Sequence, residues 1–248
     1  MRHNTREEAV VVTGRRLLAA LAESLPRRLR GSHPESVAGH LWAGLASRPP
    51  AAGGLEILNA GLVLAADHEL STSTLTARLA ASIRADPYSV VSVGLCALGG
   101  VMQPVASLAA ESLLAQIGEP ELAARVIGER LREGQRVPGF GHALHRAGDP
   151  RATLLLEMLA GAYSASPRWR VVEAVLRATR ERGLPAANID FALASLTHVA
   201  SLLHGSSEAI YALGRSAGWL AHAIEEYGHR SAIRPRAIYV GVPVGPER

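Results

Sequence analysis

The chain has 248 residues, 48% of them hydrophobic, with a formal net charge of only +4, which is ample for a substantial core. All 26 basic residues are arginine. The absence of lysine excludes a Schiff-base or pyridoxal-phosphate lysine and a Walker A phosphate loop.

The arginines suit small anionic ligands, because a guanidinium grips a carboxylate or phosphate as a planar fork. They alternate with glutamate in stretches such as IGERLREGQR and VLRATRERG and form no dense basic block, so no nucleic-acid partner is expected. A single cysteine, Cys96, sits in the apolar run VGLCALGG and is expected to be a small buried hydrophobe. It allows neither a disulfide within the chain nor a cysteine metal cluster. MRHNTREE has no apolar leader core, and no apolar run approaches the ~20 residues of a membrane span. A soluble cytoplasmic protein with no membrane partner is expected.

Alanine and leucine dominate and aromatics are scarce, which favours helices. The first helix is expected in TREEAVVVTGRRLLAALAESL, with Thr5 and Glu8 at capping-box spacing. RPPAAGG reads as a loop, LEILNAGLVLAA as a buried helix ending at DHE, and STST as the cap of LTARLAASIRA. Asp86-Pro87 is a break. SVVSVGLCALGG is assigned to helix on length and context, and Gly99, Gly100 and Pro104 punctuate the next junction. Further helices are expected at roughly 105–117, 120–133, 150–163, 167–182, 187–204 and 206–227. The tail IRPRAIYVGVPVGPER has two β-rich segments and reads as extended. The fold class is therefore all-α, with several helices apolar nearly all round and so internal.

Residues 137–151, VPGFGHALHRAGDPR, are the least ordinary stretch. The glycines before His142 suit close approach of backbone to a ligand, although Gly-x-Gly also marks ordinary loops. His142 and His145 form H-x-x-H without further ligands nearby, so no metal is expected. ADHE places His68 at the end of an apolar helix. NID puts Asp190 just inside another, where burial would raise its pKa and make it a general base, or where it simply favours the helix dipole. Arg215 and Arg234 lie in mostly apolar settings, in GRSAGWLAH and IRPR.

In this order ADHELSTSTLTAR, VPGFGHALHRAGDPRA, NID, GRSAGWLAHAIEE and IRPRAIYVG resemble the citrate synthase superfamily, over roughly residues 55–241. That group includes citrate and 2-methylcitrate synthases and citryl-CoA lyases. The resemblance implies an all-α fold with a large domain (1–104 and 201–248), a small domain (105–200) and the active site between them. It implies Asp190 as the base that takes the acyl α-proton and His142 as the group that polarises the ketone of oxaloacetate. His68, Arg151, Arg215 and Arg234 would hold the oxaloacetate side, with Arg234 reaching a partner's site in a homodimer. Val137, Gly139, Gly141 and Arg146 would lie on the coenzyme A side. The acyl-CoA is a substrate, and no cofactor is implied.

One motif departs. Where the family has GPLHGGANE, this chain has GGVMQPVAS, so Gln103 replaces the enolate-stabilising histidine, and Pro104 and Val105 follow it. A lost oxyanion donor costs ~10²–10³ in rate, but a glutamine amide remains a donor. The short length is closer to the lyase-like members. The departure also admits a noncatalytic member that binds a carboxylate or coenzyme A, or that pairs with an active paralogue.

Overall fold

The computed structural model describes residues 4–29, 34–100 and 106–241. Eleven α-helices fill them: α1 (Glu7–Glu23), α2 (Val37–Leu45), α3 (Gly54–Ala66), α4 (Thr72–Ser82), α5 (Pro87–Leu98), α6 (Ala106–Ile117), α7 (Ala123–Arg132), α8 (Pro150–Tyr163), α9 (Pro167–Glu181), α10 (Ile189–Val199) and α11 (Ser206–Gly228). No strand forms among the described residues, and the only sheet-like pairing there is an isolated bridge between Phe140 and Ala187.

Local chemistry sets several starts. Asp86, Asp149 and Ser166 each cap a helix with the side chain, and each is followed by proline at the first helical position, where a missing N–H costs nothing. The Asp86-Pro87 break is thus also the start of α5. Asn188 caps α10 by accepting from the amides of Asp190 (3.0 Å) and Phe191 (3.3 Å). α10 and α11 form the centre. α10 packs on α6, α8, α9 and α11, and α11 packs on α3, α4, α5 and α1. Almost every side chain of α10 is buried, and α11 buries Trp219 and Arg215 completely. Gly218 lets α11 cross the end of α3, because a methyl group there would collide with the Ala66 carbonyl and the Arg215 guanidinium.

Several expectations need correction. α2 was not anticipated. Six of its nine residues are buried, so no polar face supplies a period, and its one sequence signal is the Ser36 cap, which accepts from the Gly39 amide at 3.0 Å. Thr5 is not a cap: Arg6 occupies the N-cap position of α1, without a side-chain bond. The Ser71 hydroxyl pairs with those of Ser73 and Thr74 rather than capping α4. The 120–133 helix opens as a 3₁₀ turn at Pro120–Leu122. The 187–204 helix stops at Val199, because Ser201 turns left-handed (φ 56°) and the Leu202 amide reaches back to the Thr197 carbonyl at 3.0 Å, a Schellman-type ending. Cys96 is exposed rather than buried; the inward stripe of α5 is Val90, Val91, Gly94 and Leu98, and Cys96 falls between its members. The β-rich tail forms no strand through residue 241.

Candidate functional site

Five elements converge: the C-terminal end of α3, the loop of residues 137–149, the N-termini of α8 and α10, and the middle of α11. The hub is Asp149, which is 1% exposed. Its carboxylate accepts both Arg151 Nε and Nη2 at 2.9 Å, in a two-pronged pair. It also accepts the Arg151 amide at 3.1 Å and the Ile189 amide at 3.0 Å. One carboxylate therefore caps α8, takes an amide from the first turn of α10 and locks a guanidinium. Burial pushes the Asp149 carboxyl up, but the Arg151 fork overrides it and holds the pKa below the usual range.

The remaining donor of Arg151, Nη1, reaches the Asp67 carbonyl (2.7 Å) and His68 Nδ1 (3.1 Å). Arg215, buried without a carboxylate, donates to the Ala66 carbonyl and the Thr74 hydroxyl. The two arginines thus satisfy the orphan carbonyls at the end of α3, where the helix dipole favours cations. Among the described residues Arg215 Nε has no hydrogen-bond partner, and burial lowers the Arg215 pKa.

Hydrogen bonding fixes the histidine tautomers. Arginine only donates, so His68 Nδ1 is an acceptor and its proton sits on Nε2. His142 Nδ1 accepts from the amides of Leu144 (3.2 Å) and His145 (3.3 Å), so its proton is also on Nε2. Arg151 Nη2, which also donates to Asp149, and His142 Nε2 then face each other at 3.5 Å, both as donors. Burial, then Arg151, then His142 bring the His68 pKa down to about 4. Burial and Arg151 lower that of His142 as well. Both rings are neutral donors near pH 7. They meet edge-on with centroids 5.5 Å apart, and Tyr211 stands 5.7 Å from His68 on its other contact.

Asp190 lies beside this cluster on the first turn of α10. Burial raises its pKa to about 6, opposed by Arg151 and by the Ser107 amide. A carboxylate poised so near neutrality is suited to proton abstraction. The Gly-Phe-Gly loop is strapped to the same helix start. Asn188 Nδ2 donates to the Gly141 carbonyl (2.9 Å), and the Asn188 amide donates to that of Gly139 (2.9 Å). Gly139 has φ 81°, and a Cβ there would meet Phe191 at 2.7 Å, so the loop lies against α10 only because glycine occupies that position.

The sequence-derived candidates are therefore mostly gathered. His68, His142 and Arg151 line one cavity of about 200 Å³, with Asp190 and Arg215 in their electrostatic surroundings. Val137, Gly141 and His142 line an adjoining cavity of about 570 Å³, and Gly139 packs on Phe191 in the same loop. Arg146 is exposed and lines neither cavity, and Arg234 is exposed on the tail. Gln103, with Pro104 and Val105, lies outside the described residues. Sequence reasoning missed Asp149 and Tyr211. Tyr211 was findable, since it lies four residues before Arg215 on one face of α11.

The model of the family described as citrate synthase, C-terminal domain, matches residues 3–236. The chain belongs to the citrate synthase family. Citrate synthase 2 of Bacillus subtilis is 37% identical over 191 residues, covering 75% of this chain and 51% of that protein. The 2-methylcitrate synthase of Shewanella oneidensis is 31% identical over 240 residues, covering 92% and 64%. The chain thus spans about half to two thirds of the length of these curated relatives. Among solved structures, citryl-CoA lyase from Hydrogenobacter thermophilus superimposes with a TM-score of 0.73 at 23% identity, covering 85% of this chain and 86% of that one. A ternary complex of carboxymethyl coenzyme A and oxaloacetate with citrate synthase from Thermoplasma acidophilum gives 0.76 at 23% identity, covering 98% and 69%. These two likenesses establish the fold of the family, all-α and citrate synthase-like.

Proposed function

We propose that this chain makes or breaks a carbon–carbon bond between an acyl-CoA and a 2-oxo acid such as oxaloacetate. The observation that carries this reading is the approach of Arg151 Nη2, already anchored on Asp149, to His142 Nε2 at 3.5 Å, beside a carboxylate whose pKa is raised to about 6. A 2-oxo acid oxygen placed between the donors would accept from both. His142, neutral, would polarise the ketone; a group that already carries the proton on Nε2 can pass it to the oxygen as charge develops. His68, Arg151 and Arg215 would hold the carboxylates. Asp190, ionised above about pH 6, would take the α-proton of the thioester. Gln103 would donate to the resulting enolate oxygen.

The coenzyme A side would be the larger cavity, with Val137 and Gly141 in its wall and Arg146 near its phosphates. A two-lobed division, 1–104 with 201–248 against 105–200, is supported by the composition of the site: His68 and Arg215 come from one part, His142, Arg151 and Asp190 from the other. A homodimer would bring Arg234 of one copy to the site of the other, which suits its exposure on the tail. The lone cysteine suits a cytoplasmic setting, and among the described residues no helix is long and apolar enough to cross a membrane. GGVMQPVAS favours a second reading, a noncatalytic member that binds a carboxylate or coenzyme A or pairs with an active paralogue.

Incubation with oxaloacetate and a panel of acyl-CoAs, read by mass spectrometry for a tricarboxylic acid and free coenzyme A, tests the proposal. Incubation with citryl-CoA tests the reverse direction. Product from either supports the enzyme. Binding without product in both favours the second reading.

A further inference from the structure

A cavity of about 300 Å³ lies where the loop after α2 meets the turn between α8 and α9 and the C-terminal end of α10. It shares no lining residue with the candidate site. Arg48 and Arg168 line it, together with Ser47, Tyr163, Ser201 and the indole of Trp42, and no carboxylate side chain does. Among the described residues neither arginine enters a salt bridge. Arg168 uses one Nη on the His198 carbonyl at 3.0 Å. The Arg48 carbonyl accepts from Trp42 Nε1 at 2.9 Å, which anchors its backbone and leaves its guanidinium uncommitted.

Tyr163 adds an independent observation. It is 9% exposed, yet its hydroxyl is buried with no hydrogen-bond partner among the described residues. A buried hydroxyl left unpaired is destabilising, and such groups in native proteins normally have a partner. Burial also raises the Tyr163 pKa, so the group stays a donor at physiological pH.

We propose that this cavity binds the phosphoryl group of a compact phosphomonoester. Its charged groups are both donors, and arginine forks match phosphate oxygens two at a time. A phosphoryl group offers three strong acceptor oxygens where a carboxylate offers two, enough for two guanidiniums and for the Tyr163 hydroxyl once its ring tips toward the cavity, since that oxygen is closed to solvent where it stands. The volume is at the lower end for ligand pockets. It admits a small body beside the phosphoryl group, against Trp42, Pro49 and Val199, and it is too small for a dinucleotide.

Calorimetric titration of the full chain with phenyl phosphate, and separately with inorganic phosphate, tests this. Wild type should show saturable binding. Arg48→Glu and Arg168→Gln should each weaken it by roughly tenfold or more, and Tyr163→Phe by several-fold. Saturating coenzyme A should leave it unchanged. Arg48→Glu should fold normally because its side chain has no bond to lose, so it decides the matter even if Arg168→Gln is unstable. The proposal is overturned if wild type shows no saturable binding, or if Arg48→Glu binds as well as wild type. It is equally overturned if added coenzyme A abolishes binding, since the phosphate would then occupy the other site.

Discussion

Asp149 and Asp190 stand one residue apart in space, through the Ile189 amide, and their environments push their acidities in opposite directions. Asp149 is held ionised by Arg151. Asp190 is half-buried and has no such fork among the described residues. The rate of any proton abstraction by Asp190 should therefore rise with pH through about 6 and level off above it, as a pH–rate profile would show. The same raised pKa makes the ionised form a burden on folding. Stability from Asp190 is present below its unfolded pKa and is lost as pH rises through about 6. Asp190→Asn should accordingly melt higher than wild type at pH 7.5, with the gain fading as pH falls from 6 toward 4. Asp149→Asn should have the opposite character. It breaks a buried pair on one side only, so thermal denaturation should show a loss on the order of 3 kcal/mol, and oxaloacetate binding should weaken as Arg151 is released. Asp190 was legible in the sequence because an acid in an apolar helix is conspicuous. Asp149 was not, because Asp-Pro reads as a helix start, and its bond to residue 189 exists only in the folded chain.

At the scale of elements, the site is a meeting of helix ends. Two N-termini and one C-terminus converge, and side chains bind the groups those ends leave free. Asn188 does two jobs with one amide. Its oxygen caps α10, and its nitrogen holds the Gly141 carbonyl. Asn188→Asp keeps the cap acceptor but sets an anionic oxygen against the Gly141 carbonyl, so both its melting temperature and its affinity for oxaloacetate should fall. Asn188→Ala loses both and should cost about 1–2 kcal/mol in denaturant unfolding. Most helices were legible, because their periods and proline starts are local signals. α2 was not, since a helix buried nearly all round shows no period. The overlong reading of α10 failed because a serine, not a glycine, adopts the left-handed ending.

For the whole molecule, the family motifs carried the sequence reading further than composition did. They indicated which distant residues meet, and His68, His142 and Arg151 do meet, with Arg215 in their electrostatic surroundings. The lone chain leaves large apolar groups exposed on α5, after α4 and on the tail, among them Tyr88 (43%), Ile83 (70%) and Ile238 (86%). A homodimer covering part of that surface should appear as twice the chain mass in light scattering at micromolar concentration, and a monomer would remove the cross-subunit role of Arg234. The central claim is that Asp190 is a base facing a bound thioester, and it is tested most directly by hydrogen exchange. The protein is incubated in deuterated water with an acyl-CoA and a nonreacting oxaloacetate analogue, and mass spectrometry follows deuterium entering the acyl α-carbon. Wild type should exchange, Asp190→Asn should not, and Gln103→Ala should be slower by ~10²-fold if its amide supports the enolate. Exchange that proceeds equally in Asp190→Asn, or no exchange by wild type with any acyl-CoA that demonstrably binds, would contradict the account.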